Sequence, residues 1–162
     1  MDKNQIIEDI DAAFRTVSLE DGIGILESEA LDSCVSDKKR EQARKNDYRE
    51  NWQAIPDAVI SEHYSALCFM DAKGLRFNLP VYMMFALENY DRSNSASIDA
   101  VIYALCKEPE DLKTEWTIFS EEQKSVIAKF LRYMVTEVGE QWVDSWQASL
   151  AYEKTWHIYD RI

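Results

Sequence analysis

Apolar residues recur at helical spacing over most of the chain. Ile6, Ile10, Ala13, Phe14 and Val17 fall three to four positions apart, which predicts an amphipathic helix over 4–17. Gly22 and Gly24 break the pattern. Ile25, Leu26, Ala30, Leu31, Cys34 and Val35 predict a second helix over 25–35. Residues 37–50 are almost wholly polar and read as an exposed helix or an ordered loop. Pro56 suits the first position of a short helix, where a missing N–H costs nothing. Val59, Ile60, Tyr64 and Leu67 supply its apolar side.

The period then changes. ALCFM and LRFNL flank Asp71-Ala72-Lys73-Gly74, and Leu75, Phe77 and Leu79 alternate with Arg76 and Asn78. Period-two alternation beside a glycine-containing tetrapeptide predicts a β-hairpin over 66–79. Pro80 closes the second strand, and VYMMFALENY opens a helix. Residues 97–106 read as a short buried helix, with a strand as the alternative, and 107–119 as a connecting loop. Ser120 and Gln123 form a capping box ahead of Val126, Ile127, Phe130, Leu131 and Met134, with Gly139 at the helix end. The last helix carries Val138, Trp142, Trp146, Ser149, Tyr152, Trp156 and Tyr159 on one face. Core packing is the default reading of that stripe; a partly exposed interface groove is the alternative. The expected architecture is mainly α (α+β), one domain over 1–162 with a single hairpin.

Charge changes the picture next. Thirty acidic residues against 18 basic ones leave a net charge of −12. Such a surface repels nucleic acid and anionic membranes, so neither is expected as a partner. Most of the excess sits in two segments. Residues 18–37 hold Glu20, Asp21, Glu27, Glu29, Asp32 and Asp37 and no basic residue. Residues 108–122 hold Glu108, Glu110, Asp111, Glu115, Glu121 and Glu122 against Lys113 alone. Between them in sequence, 38–49 is basic, with Lys38, Lys39, Arg40, Arg44, Lys45 and Arg49. Such segments are either solvated surface or a docking face for a basic protein. The docking candidates are Glu27, Glu29, Asp32, Glu110, Asp111, Glu115 and Trp116. Trp116 stands inside the second segment, as an interface anchor or as a pin from a long loop into the core.

Catalytic patterns are sparse. There are two histidines, His63 and His157, and no HExxH, CxxC or DxDxDG spacing, so no metal and no cofactor is expected. Cys34, Cys68 and Cys106 each lie in an apolar run and read as reduced, buried thiols of a cytoplasmic protein. The N-terminus lacks a basic region followed by an apolar run, and no apolar stretch approaches membrane-spanning length. An enzyme reading centres on His63, Asp71 and Arg76 near the expected hairpin.

The order Phe69-x-Asp71-x-x-Gly74-x-Arg76-Phe77-x-Leu79-Pro80-x-Tyr82-Met83, with Ile10-x-x-Ala13-Phe14 and Trp52-x-x-Ile55-Pro56 before it and Phe119-Ser120-x-x-Gln123 after it, resembles a group of small bacterial proteins known only as a domain of unknown function. The resemblance covers roughly residues 5–135. It implies a bacterial cytosolic protein and transfers no catalytic residue. By analogy with small acidic bacterial proteins, the expected function is that of an immunity protein. It would neutralise a cognate toxin, a basic domain encoded by an adjacent gene, by covering its active surface. A regulatory adaptor that binds another host protein shares this binding chemistry.

Overall fold

The computed structural model describes residues 2–108 and 110–160. Among them lie α1 (Lys3–Phe14), α2 (Ile25–Asp32), α3 (Asp37–Asn46), α4 (Asp57–Glu62), α5 (Ala72–Asn89), α6 (Ser97–Ala104), α7 (Glu121–Tyr133) and α8 (Ser145–Ala151), and no strand. Single 3-10 or π turns occupy much of the intervening chain, including Ala66–Phe69, Asp111–Lys113, Glu115–Ile118, Met134–Val138 and Tyr152–Trp156.

The α+β expectation is therefore corrected: the described residues are all-helical. ALCFM contributes one 3-10 turn, and LRFNL lies inside α5. Two physical causes produced the false alternation. First, Asp71-x-x-Gly74 is a helix start. The Asp71 side chain caps α5 by accepting from Gly74 N at 2.8 Å, and the same Oδ1 accepts from Ile23 N at 3.0 Å. Gly74 is required by close approach, since a Cβ there would collide with the Ile23 carbonyl oxygen. It does not adopt a positive φ. Second, α5 is buried all round. Leu75, Phe77, Leu79, Val81, Tyr82, Met83, Phe85, Ala86 and Leu87 are all core residues, so no polar face betrays the helical period. Pro80 sits within α5 and deprives it of one backbone N–H, yet the helix runs on to Asn89.

The other elements pack around α5. Helices α1 and α6 lie directly against it, α7 pairs with α1, and α8 packs on α6 and α7. The capping box of α7 is present in both directions, and Gln123 Nε2 also donates to Ala13 O at 3.1 Å, tying α7 to α1. Gly139 ends the following π turn at φ 78°, a left-handed value that suits glycine. The polar stretch 37–50 does form a helix, α3, and none of its residues is buried. The cysteine expectation fails: Cys34, Cys68 and Cys106 are all exposed. Cys34 and Cys106 lie just past the ends of α2 and α6, and Cys68 lies within the 3-10 turn Ala66–Phe69. Cys34 even takes a left-handed φ of 48° just beyond α2.

Candidate functional site

Half of the carboxylates of the first acidic segment, Glu20, Asp21 and Glu27, meet a lysine or arginine of the same chain. Glu27 is 1% exposed and accepts from Arg40 Nε at 3.0 Å and Arg44 Nη1 at 2.6 Å. Arg44 Nη2 also donates to the Asp21 carbonyl at 2.6 Å. Glu20 holds a left-handed φ of 54° and pairs with Lys73 at 2.8 Å and Arg76 at 2.7 Å. Asp21 pairs with Lys73 at 2.6 Å. Hydrogen bonds from Lys73 hold both carboxyls below their ordinary range, and the two carboxylates in turn push the Lys73 ammonium up. Asp47 caps α2 through Leu26 N at 2.7 Å and Glu27 N at 3.0 Å. Desolvation pushes its carboxyl up against those bonds. Glu29 meets His63 Nδ1 at 3.3 Å, and Asp32 accepts from Ser65 Oγ at 3.2 Å. The basic stretch thus neutralises Glu27, through Arg40 and Arg44, while Glu20 and Asp21 find their cations on α5.

The second segment is arranged differently. Glu110 and Glu115 are exposed, and Asp111 is half-buried and accepts from Glu108 N at 2.9 Å. The lysine pairs here are looser: Glu110–Lys113 at 3.8 Å and Glu108–Lys154 at 3.7 Å. Trp116 is fully buried, so it is a pin and not an exposed anchor. It stacks on Phe119 at 4.4 Å between ring centroids and meets Trp156 edge-on at 5.2 Å.

The aromatic stripe splits. Trp156 is buried and donates through Nε1 to Leu105 O at 2.8 Å. Trp142 and Trp146 are 45% and 68% exposed, and Tyr103 is 50% exposed. Two hydrogen bonds join these residues' elements: Tyr103 Oη donates to Asp144 Oδ2 at 3.0 Å, and Asp144 N donates to Asp99 Oδ1 at 2.8 Å. The bond to Asp144 also raises the Tyr103 hydroxyl. Asp144 Oδ1 caps α8 through Gln147 N at 3.1 Å. This surface adjoins the second acidic segment, because Thr155 Oγ1 donates to Lys107 O at 2.5 Å and Lys154 reaches Glu108.

Sequence reasoning missed Tyr103 and placed Trp142 and Trp146 with the core residues. The signal was Asp144-x-x-Gln147. An N-cap there starts a new helix after Trp142, so Trp142 does not share one continuous helical face with Trp156.

The residues of the enzyme reading serve separate tasks. His63 contacts Glu29, Asp71 caps α5, and Arg76 bridges Glu20 and the Ile118 carbonyl at 3.0 Å. Among the described residues no group of three or more His, Cys, Asp or Glu is placed to hold a metal ion, and no helix is long and apolar enough to cross a membrane.

No curated protein and no solved structure matches the chain. The motif residues around α5 and the all-helical frame that they organise extend through nearly the whole sequence, as does the match to one family model over residues 2–159; the chain belongs to the family of unknown function DUF6714.

Proposed function

We propose that this chain is a binding protein for a basic protein partner, and in its most concrete form a cytoplasmic immunity protein that occludes a toxin's active or substrate-binding surface. One observation carries the reading. Trp146 and Tyr103 stand exposed beside a segment whose carboxylates, Glu110 and Glu115 among them, point outward. Exposed Trp and Tyr are the commonest interface anchors, because each buries a large rigid area on docking. Outward carboxylates speed encounter with a basic partner. The buried Trp116 holds this segment in one conformation, which lowers the ordering cost of binding. Within the first acidic segment, Glu20, Asp21 and Glu27 already face Lys73, Arg76, Arg40 and Arg44, which leaves less free charge there than the residue count suggests. The binding reading is preferred over the enzyme reading because His63, Asp71 and Arg76 are engaged in three different structural contacts.

The test uses the purified protein and two variants, Trp146→Ala and the double charge reversal Glu110→Lys/Glu115→Lys. A basic partner retained by the wild type should dissociate at least about tenfold faster from the first variant. It should associate roughly tenfold more slowly with the second, and salt should erase that difference. Unchanged rates for both variants would sink the docking face. A partner that binds but whose toxicity is unaffected by co-expression would sink the immunity reading and leave binding standing.

A further inference from the structure

A second site lies on the other side of the α6 start. The connection from α5 to α6 and the loop 139–144 enclose a cleft of about 460 Å³. That falls inside the roughly 300–1,000 Å³ range of small-molecule sites. Its walls include Arg92, Asn94, Asp99, Gln141 and Trp142.

We infer that this cleft binds a neutral polyhydroxylated ligand of the saccharide class, stacked on Trp142. The inference does not depend on the binding-protein reading; the cleft borders that surface, since its Asp99 is bonded to Asp144, which also holds Tyr103. Three features support it. The first is charge balance. Asp91 and Asp99 line the cleft, but so does Arg92, and the positive end of the α6 dipole faces the same space. An anion would meet the carboxylates, and a cation would meet the guanidinium and the helix start. A neutral ligand meets neither penalty.

The second is the kind of polar group. The amides of Asn94 and Gln141 each offer donors and an acceptor, which matches hydroxyls that both donate and accept. Trp142 adds an exposed aromatic face, whose negative quadrupole suits the C–H face of a sugar ring.

The third is rigidity. Val143 is buried next to Trp142, and Asp144 N is bonded to Asp99. On the opposite wall, Ser95 Oγ donates to Ser61 O at 3.1 Å and Ser97 Oγ to Ile60 O at 2.6 Å. These bonds tie the backbone of both walls, so the ordering left to binding is that of the exposed Asn94, Gln141 and Trp142 side chains.

The experiment is a titration followed by the tryptophan indole N–H resonances of the ¹⁵N-labelled protein. The probes are glucose, galactose, mannose, N-acetylglucosamine and their disaccharides, with inorganic phosphate and arginine as charged probes. At least one saccharide should shift the Trp142 resonance saturably, and neither charged probe should. Asn94→Ala should weaken that saccharide's binding about tenfold, Trp142→Phe should retain much of it, and Trp146→Ala should leave it unchanged. Three results would overturn the inference: no saturable shift with any saccharide, tighter binding of phosphate or arginine, or saccharide binding that survives both Asn94→Ala and Trp142→Ala in folded protein. If Trp142→Ala fails to fold, Asn94→Ala alone decides the last point.

Discussion

The two acidic segments have nearly the same composition and opposite fates. In residues 18–37, Glu27 pairs with the basic helix α3 and Glu20 and Asp21 pair with Lys73 and Arg76, so half of the six carboxylates meet a cation inside the molecule. Residues 108–122 have Lys113 as their own cation, and are held instead by an aromatic pin, Trp116 between Phe119 and Trp156. One segment is anchored by electrostatics and the other by packing. Net charge in a sequence window therefore says little about a surface until the countercharges are located. The anchoring mode, in turn, decides what salt and mutation will do to each region.

The largest expected effect comes from removing the pin. Trp116→Ala deletes a fully buried ring and should cost about 3–5 kcal/mol in urea unfolding. Trp116→Phe should cost much less. It keeps a ring and also removes the indole N–H, which is buried without a hydrogen-bond partner. Equal losses for the two variants would mean that the segment is not held by ring packing. Next is Glu27→Ala, which strips the buried carboxylate from Arg40 and Arg44. Removing one partner of a fully buried pair costs roughly 3–5 kcal/mol, and the partial exposure of both arginines reduces this to about 2–3 kcal/mol. Amide exchange in α3 should accelerate selectively, and added salt should mimic part of the effect in the wild type only. If α3 stays protected in the variant, charge is not what holds it.

The smallest effect is in titration. Glu20 and Asp21 are held below their ordinary range by Lys73, so their folded values lie below the unfolded ones. Their stabilisation is present above about pH 4 and is lost as pH falls through the folded values. Lys73→Ala should return both carboxyls toward ordinary values in a ¹³C NMR titration and flatten the acid limb of the stability curve. Unmoved carboxyl titrations would show that Lys73 does not set them.

Much of this frame was legible in the sequence. The capping box at Ser120, the breaks at Gly22 and Gly24, the short helix after Pro56 and the end at Gly139 all rest on local chemistry, and local chemistry decided them. The β-hairpin was misread because α5 is enclosed on every side, so burial erased the polar face that would have shown a helical period. The Asp71-to-Gly74 cap looked like a turn because both uses call for the same residues. The surroundings of the candidate residues were illegible for a non-local reason. That Glu27 is buried and paired depends on α3 folding back across α2, and that Trp142 leaves the face of Trp156 depends on a helix restarting at Asp144. Neither event leaves a signature in hydrophobic periodicity.

The shared oxygen of Asp71 bears on how the chain reaches this structure. One atom satisfies the first turn of α5 and also the backbone of Ile23, 48 residues earlier. The start of the central helix and the loop after α1 are therefore joined through one carboxylate, with the bare Gly74 backbone seated under the Ile23 carbonyl. A fragment that begins after residue 25 would retain every core side chain of α5 and still lack the collar into which its first turn fits. Such a fragment loses the Ile23 partner of the Asp71 cap together with the core residues Ile6, Ile10 and Phe14, so amide protection at Ala72–Leu75 should fall below that of the full chain.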